Sequence, residues 1–316
     1  MKKVLFATTA LVATAGVAAA EVSISGFAEV GIQGGNATET QFFQDIDVTF
    51  SMSGETDNGL TFGASVDLDE TLAGTNTADD NGTTVFISGN FGTLTMGDTD
   101  GALDWALTEA GNIGNPGSMP DNETSHAAYR GNYADGFQDG QILRYDNTFG
   151  DFGVAASIEL DDSGVNSAGY ALGVRYALPV AGATINLGAG IQQAYAKPGT
   201  TVWGQAVAAN ADTDVMGVSA VANFDNGLSA GVNWTNWEFN GIDSTDVLSV
   251  GVGYTTGALS LHANYADISS DFAPLDGIDG YGIAVAYDLG GGAAAQLGWN
   301  DNSTGANWSA GLALSF

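Results

Sequence analysis

The chain has 316 residues, a formal charge of −31 from 37 acidic and 6 basic residues, and no cysteine. That balance excludes nucleic acid as a partner, because phosphate contacts need Lys and Arg, and it excludes disulfide or thiolate chemistry. A content of 44% hydrophobic and 10% aromatic residues rules out a solvated acidic tail, and 46 Gly against 5 Pro points to many strands joined by tight turns.

Residues 1–20 are read as a secretory signal. Lys2 and Lys3 form a positive start, Val4 to Val17 an apolar, small-residue stretch, and Ala18-Ala19-Ala20 a cleavage site before Glu21. The remaining 21–316 are read as one domain. Without the two signal lysines its charge is −33, carried against only Arg130, Arg144, Arg175 and Lys197. Such a surface concentrates cations. No run of 18 apolar residues follows the signal, so no helix is expected to cross a membrane.

The clearest element is Thr49–Asp69. Phe50, Met52, Leu60, Phe62, Ala64, Val66 and Leu68 share one parity, while Thr49, Ser51, Ser53, Thr61, Ser65, Asp67 and Asp69 share the other. A Glu-Thr-Asp-Asn-Gly turn lies between them. This is a hairpin with one dry and one wet face. Turn signals then recur at Gly89–Gly92, Thr148–Asp151, Leu178–Gly182, Phe224–Gly227, Tyr254–Gly257 and Asp288–Gly292. Eight longer polar segments alternate with these seven turns: 34–40, 71–82, 99–140, 161–167, 194–214, 240–244, 269–277 and 302–305. Fifteen connections require sixteen strands, at about 18 residues for each strand with its connection, enough for a tilted membrane strand.

A soluble sandwich or propeller also alternates dry and wet faces. Three features favour a closed transmembrane barrel instead. Aromatic residues (Phe91, Phe149, Phe152, Phe224, Tyr254, Tyr287) crowd the strand ends, as a membrane band requires. No lysine-rich edge strand is present, and closure removes the edge. The last residues, Trp308 to Phe316, still alternate as a strand. The expectation is an all-β, 16-stranded antiparallel transmembrane β-barrel with short turns at one end and long loops at the other. Its apolar parity faces lipid and its acidic parity faces water, because only closure bonds every backbone group within hydrocarbon.

Several pieces carry a resemblance to a known family: Glu21–Gly26, Phe50–Gly54 with its turn, Ser88–Asp98, Val154–Ser157, Tyr287–Gly292 and the terminal Phe316. In order and spacing the chain resembles the general porins of Gram-negative bacteria, particularly the Rhodobacter type of the α-proteobacteria. The resemblance implies an outer-membrane homotrimer, exported through the periplasm, that passes ions and small hydrophilic solutes by passive diffusion and is not an enzyme. It also implies periplasmic turns, external loops, a third loop folded inward to narrow the pore, and a Phe316 strand that serves as the assembly signal.

The third long segment, about 99–140, is the longest, and a loop of that length points to a function. It carries Asp100, Asp104, Glu109, Asp121, Glu123, Asp135 and Asp139, with Arg130 and His126 as its basic candidates. Asp45 and Asp47 face inward by parity on the second strand, and Arg144 and Arg175 are the expected wall cations. Glu29, Asp67, Asp69, Asp146 and Glu159 share that face. Similar porins oppose loop acids with basic residues across the pore. Here acids outnumber arginines, so the expectation is cation selectivity, since rings of Asp and Glu favour cations. Asp-x-Asp pairs, above all Asp98 and Asp100, raise bound calcium as a further expectation, although no full calcium loop occurs. The alternatives are a secreted acidic calcium-binding β-protein and an outer-membrane barrel enzyme. The two histidines, His126 and His262, form no recognisable catalytic arrangement.

Overall fold

Period-two alternation gives each strand two unlike faces, and a sheet with one apolar face is stable only where that face is covered or set in lipid. The computed structural model describes residues 20–36, 38–69, 82–119, 123–126, 133–137, 141–161, 164–165, 167–196, 199–202, 205–206, 208, 211–240, 243–272, 275–302 and 305–316. Residues 1–19 of the expected signal, Asp121, Arg130, Asp139 and Lys197 lie outside the described residues.

The first seven strands are β1 (Glu21–Gly35), β2 (Gln41–Glu55), β3 (Thr61–Asp69), β4 (Thr83–Gly89), β5 (Gly92–Asp98), β6 (Gln141–Phe149) and β7 (Phe152–Leu160). Next come β8 (Gly169–Val180), β9 (Ala183–Tyr195), β10 (Thr201–Val202), β11 (Gln205–Ala206), β12 (Asp212–Phe224) and β13 (Leu228–Phe239). The series ends with β14 (Asp243–Thr256), β15 (Leu259–Ser270), β16 (Ile278–Gly290), β17 (Ala293–Asn302) and β18 (Gly305–Ser315). All but β10 and β11 form one closed antiparallel barrel of sixteen strands. β1 pairs with β18 to close it, from Phe27 opposite Ser315 to Gly35 opposite Asn307. The seam is completed by the Phe316 N–H, which donates to the Gly26 carbonyl at 2.8 Å.

The seven short turns lie where the turn residues place them, each between a strand and its next neighbour. At one of them Gly227 takes φ 89, and a side chain there would run into the Thr255 carbonyl. Five of the eight expected long loops are shorter than expected, the sixth and eighth most in proportion, because β14 already begins at Asp243 and β18 at Gly305. Asn240 at φ 52 and Gly305 at φ 111 adopt the left-handed region and let the chain reverse without a longer excursion. The fifth loop holds the small β10–β11 hairpin.

The faces fall as the alternation requires. Ile46, Leu68, Val85, Met96, Leu172, Ile191, Leu248 and Ile283 are exposed on the outside. Glu29 and Asp45, of opposite parity and opposite each other in the β1–β2 register, are only 2% and 1% exposed inside. The interior is not all water. Leu103, Leu107, Ala134 and Phe137 of the third loop pack on Val215, Trp237, Val247 and Ile268 of the wall. The Phe137 and Trp237 ring centroids lie 6.2 Å apart. A sixteen-stranded barrel is too wide for wall side chains to fill, and the loop takes up part of that space.

Candidate constriction site

The third loop leaves β5 at Asp98 and turns into the barrel through α1 (Ala102–Ala106), then a 3-10 turn at Ala110–Asn112 and another at Glu123–Ser125. α1 lies against β6, β7, β8 and β9, the first 3-10 turn against β13, β14 and β15, and the second against β16, β17 and β18. Met119 reaches Gly31 and Gly311 at the closing seam. The loop therefore runs round much of the inner wall.

It does so because the wall offers room and hydrogen bonds. Gly173, Gly190 and Gly217 form one ladder across β8, β9 and β12. A Cβ at Gly173 would strike the Ala102 carbonyl, and one at Gly217 would come within 2.6 Å of Leu107 Cδ1. A second ladder runs Gly231, Gly251, Asn264, Gly282, Asn300 from β13 to β17. There Cβ atoms at Gly251 and Gly282 would strike the Ala110 and Ser125 carbonyls. Between the glycines the wall holds the loop backbone. Ser157 Oγ accepts from the Ala102 N–H (2.8 Å), Ser219 Oγ from Thr108 (3.0 Å) and Asn233 Oδ1 from Ala110 (2.9 Å). Asn264 donates to the Ser125 carbonyl (2.7 Å) and Asn300 to the Thr124 carbonyl (2.8 Å). Loop backbone groups buried away from water need such partners.

The charges gather around α1. Arg144 on β6 sits between two carboxylates, with Nε 3.1 Å from Asp146 Oδ1 and Nη1 3.9 Å from Asp100 Oδ2. Its Nη1 also donates to the Asp100 carbonyl at 2.6 Å. The Arg144 side chain is 12% exposed, whereas that of Asp100 is 64% exposed. Arg175 on β8 stacks over the Trp105 ring of α1 at 3.7 Å from its centroid, a cation–π contact that fixes the guanidinium beside the loop. Asp135, on the returning limb, accepts from the Gly101 N–H (2.7 Å) and from Gln192 Nε2 (2.6 Å). Burial pushes its carboxyl up to about 6 against those two hydrogen bonds. Asp104 rises further. Burial first, then the carboxylates of Asp100, Asp135 and Glu109, push it up to about 9, and Arg144 pulls only weakly the other way. At neutral pH Asp104 therefore holds its proton.

Of the expected site residues, the fold gathers Asp100, Asp104, Glu109, Arg144 and, beside them, Arg175. Asp45 and Asp47 stand apart on β2, outside the strands that α1 covers. Glu123 lies in the second 3-10 turn, away from α1. Asp98 turns from Asp100, its carboxylate accepting the Gly82 N–H at 2.7 Å. Among the described residues no three His, Asp or Glu side chains form a group able to hold a metal ion. Sequence reasoning did not single out Trp105, Gln192, the two glycine ladders or the wall asparagines. Consecutive apolar residues at the loop end of the wall, such as Val215-Met216 and Val247-Leu248, were the available signal, because one of each pair must face inward.

Comparison with known proteins agrees with this architecture. The profile of Gram-negative porins matches residues 7–307. A porin of Rhodobacter capsulatus is 30% identical over 292 residues, covering 89% of this chain and 94% of that one. A porin structure refined at 1.8 Å resolution superposes with a TM-score of 0.72 at 25% identity, over 94% of this chain and 100% of the other. An engineered Rhodopseudomonas blastica porin shares the fold, with a TM-score of 0.63 at 20% identity over 93% of this chain and 100% of that one. A closed barrel of sixteen strands, an inward third loop and a match along nearly the whole sequence lead to one conclusion: the chain belongs to the Gram-negative porin family.

Proposed function

We propose that this outer-membrane channel passes small hydrophilic solutes passively and prefers cations. The observation that carries the preference is the composition of the site around α1. With Asp104 protonated at neutral pH, Asp100, Glu109, Asp135 and Asp146 still meet only two described guanidiniums, and Arg144 is already held between Asp100 and Asp146. A water-filled path lined by surplus carboxylates lowers the energy of a passing cation. Two unit charges 4 Å apart interact by about 1 kcal/mol in bulk water, and by more where wall atoms displace water. In a planar bilayer under a KCl gradient, the reversal potential is expected to have the sign of a cation-preferring pore. A chloride-preferring sign overturns the proposal.

The partners follow from the wall. β4 and β5 are 7 residues long, while β8, β9 and β12 to β16 are 12 to 14. At about 3.3 Å per residue and a tilt near 40°, 7 residues rise about 16–19 Å, less than the roughly 25 Å apolar band of such barrels. The longer strands exceed that height. The low sector, β3 to β7, is accordingly read as the face that meets further copies of this chain in a homotrimer, with lipid around the tall sector. The chain lacks cysteine, so single thiols can be placed cleanly. A bismaleimide should join copies through V85C on β4 and fail through L248C on β14; the reverse result assigns the low sector to lipid. Export through the periplasm on the signal, and assembly directed by the terminal Phe316, a residue 76% exposed, belong to the same proposal. Calcium at Asp98 and Asp100 would need more oxygen ligands than these two residues bring, since calcium takes six to eight.

A further inference from the structure

The two histidines, 126 and 262, are brought together at the third loop. His262 stands on the inner face of β15, with Nδ1 2.9 Å from the Ile113 carbonyl and Nε2 2.7 Å from Asn264 Nδ2. A carbonyl only accepts, so Nδ1 carries the proton and Nε2 is left to accept from the Asn264 amide. The same amide also donates to the Ser125 carbonyl at 2.7 Å. A single neutral tautomer thus completes every bond and clips the loop at two separated points. There is no slack around the clip. Gly282 leaves room for the Ser125 carbonyl, and a Cβ on Gly253, opposite His262, would lie 2.6 Å from Gly114 Cα.

We propose that His262 is a positioning residue for the constriction: its neutral ring clasps the third loop to β15, and a second proton on the ring releases the Ser125 end. This rests on the reading of that loop as the constriction. The second proton goes to Nε2, which changes from acceptor to donor and faces the Asn264 N–H. If the amide rotates to offer its oxygen to Nε2, that oxygen leaves the Ser125 carbonyl without its donor. One bond is lost either way, and a lost bond at a buried carbonyl is costly. Opposite His262 stand Gly253 on β14 and Ala284 on β16, neither of them titratable. From the loop the titratable neighbour is His126, which burial and the His262 charge hold down to about 4.

The test is hydrogen exchange of full-length protein folded in detergent micelles, followed in peptides covering 123–126, with those covering 108–119 at the retained Ile113 end as the internal reference, and corrected for intrinsic pH dependence. Single-channel closures in planar bilayers are recorded in parallel. Between about pH 8 and about pH 5 the wild type should lose protection by about tenfold or more, with closures becoming more frequent. H262N keeps a side-chain N–H for the Ile113 carbonyl and cannot titrate, so its protection should stay flat. N264D replaces the amide by a carboxylate that cannot donate to the Ser125 carbonyl at any pH, so its protection should be low already at about pH 8 and stay flat. Identical profiles for wild type and H262N overturn the clasp; should H262N not assemble, an N264D that keeps the full wild-type protection and its pH dependence does so. Protein that folds but conducts no ions refutes the channel reading instead, and the exchange data still decide the clasp.

Discussion

The third loop meets the barrel wall in two sectors made of opposite materials. Around α1 the contact is charged: Arg144 between Asp100 and Asp146, Arg175 on Trp105, and Asp135 accepting from Gly101 and Gln192. From β13 to β17 it is neutral, with glycines that leave room for carbonyls and amides that bond them. The difference shows how one loop serves two purposes. Charges placed beside a water path act on what passes, but each costs desolvation when pressed against a wall. Neutral amides and glycines carry no such cost, so they can hold a backbone tightly. The charged sector is suited to selecting, the neutral one to anchoring.

The largest expected effect breaks the neutral sector. G282V puts a branched side chain where the Ser125 carbonyl lies. Overpacking of this kind costs about 1–3 kcal/mol, and the loop can relieve it only by leaving its seat. The variant should therefore lose heat resistance on gels and show larger, noisier single-channel conductance. G26A is the control, because a Cβ there meets its nearest atoms at an ordinary 3.6 Å. Equal stability and conductance in the two variants would show that the glycine ladder does not hold the loop.

How far these sectors could be read from the sequence differs in the same way. The sixteen strands and the parity of Glu29 and Asp45 were legible because they are local: alternation, turn residues and length. The inward fold of the third loop came from the family resemblance, its length pointing only to a function. The gathering of Asp100, Asp104 and Arg144 was legible as a list of charged residues on two inward elements. That Asp135 accepts from both Gly101 and Gln192 was not, since it joins residues from three distant parts of the chain. Gly173, Gly251 and Gly282 resembled the many other strand glycines, and nothing local distinguishes a glycine beside a loop from one beside water. Nor did Asn264 and Asn300 stand apart from the other polar residues of the wet face. Val247 and Ile268 broke the alternation visibly, but a packed loop is only one cause of such a break. The lengths of the sixth and eighth loops were misread because Asn240 and Gly305 reverse the chain in the left-handed region, a property of two dihedral angles rather than of segment polarity.

A smaller effect sharpens the charged sector. Asp104 is raised from 3.8 to about 9 by burial and by its acidic neighbours, and Asp135 from 3.8 to about 6. For a raised carboxyl the folded state binds the proton more tightly than the unfolded one. Its contribution to stability is therefore full below the unfolded value and is lost as pH climbs through about 6 for Asp135 and about 9 for Asp104. Selectivity should move the other way. Raising the pH adds first the Asp135 charge and then the Asp104 charge beside Asp100, while Arg144 and Arg175 stay cationic. The potassium-to-chloride permeability ratio should rise about two- to threefold between about pH 5 and about pH 9.5, a change worth well under 1 kcal/mol. D104N should match the wild type near pH 7, where Asp104 is already neutral, and lose the alkaline part of the rise. A wild-type ratio that stays flat across this range would separate these carboxyls from the ion path and leave Asp100, more exposed than Arg144 beside it, as the loop charge that permeating ions meet.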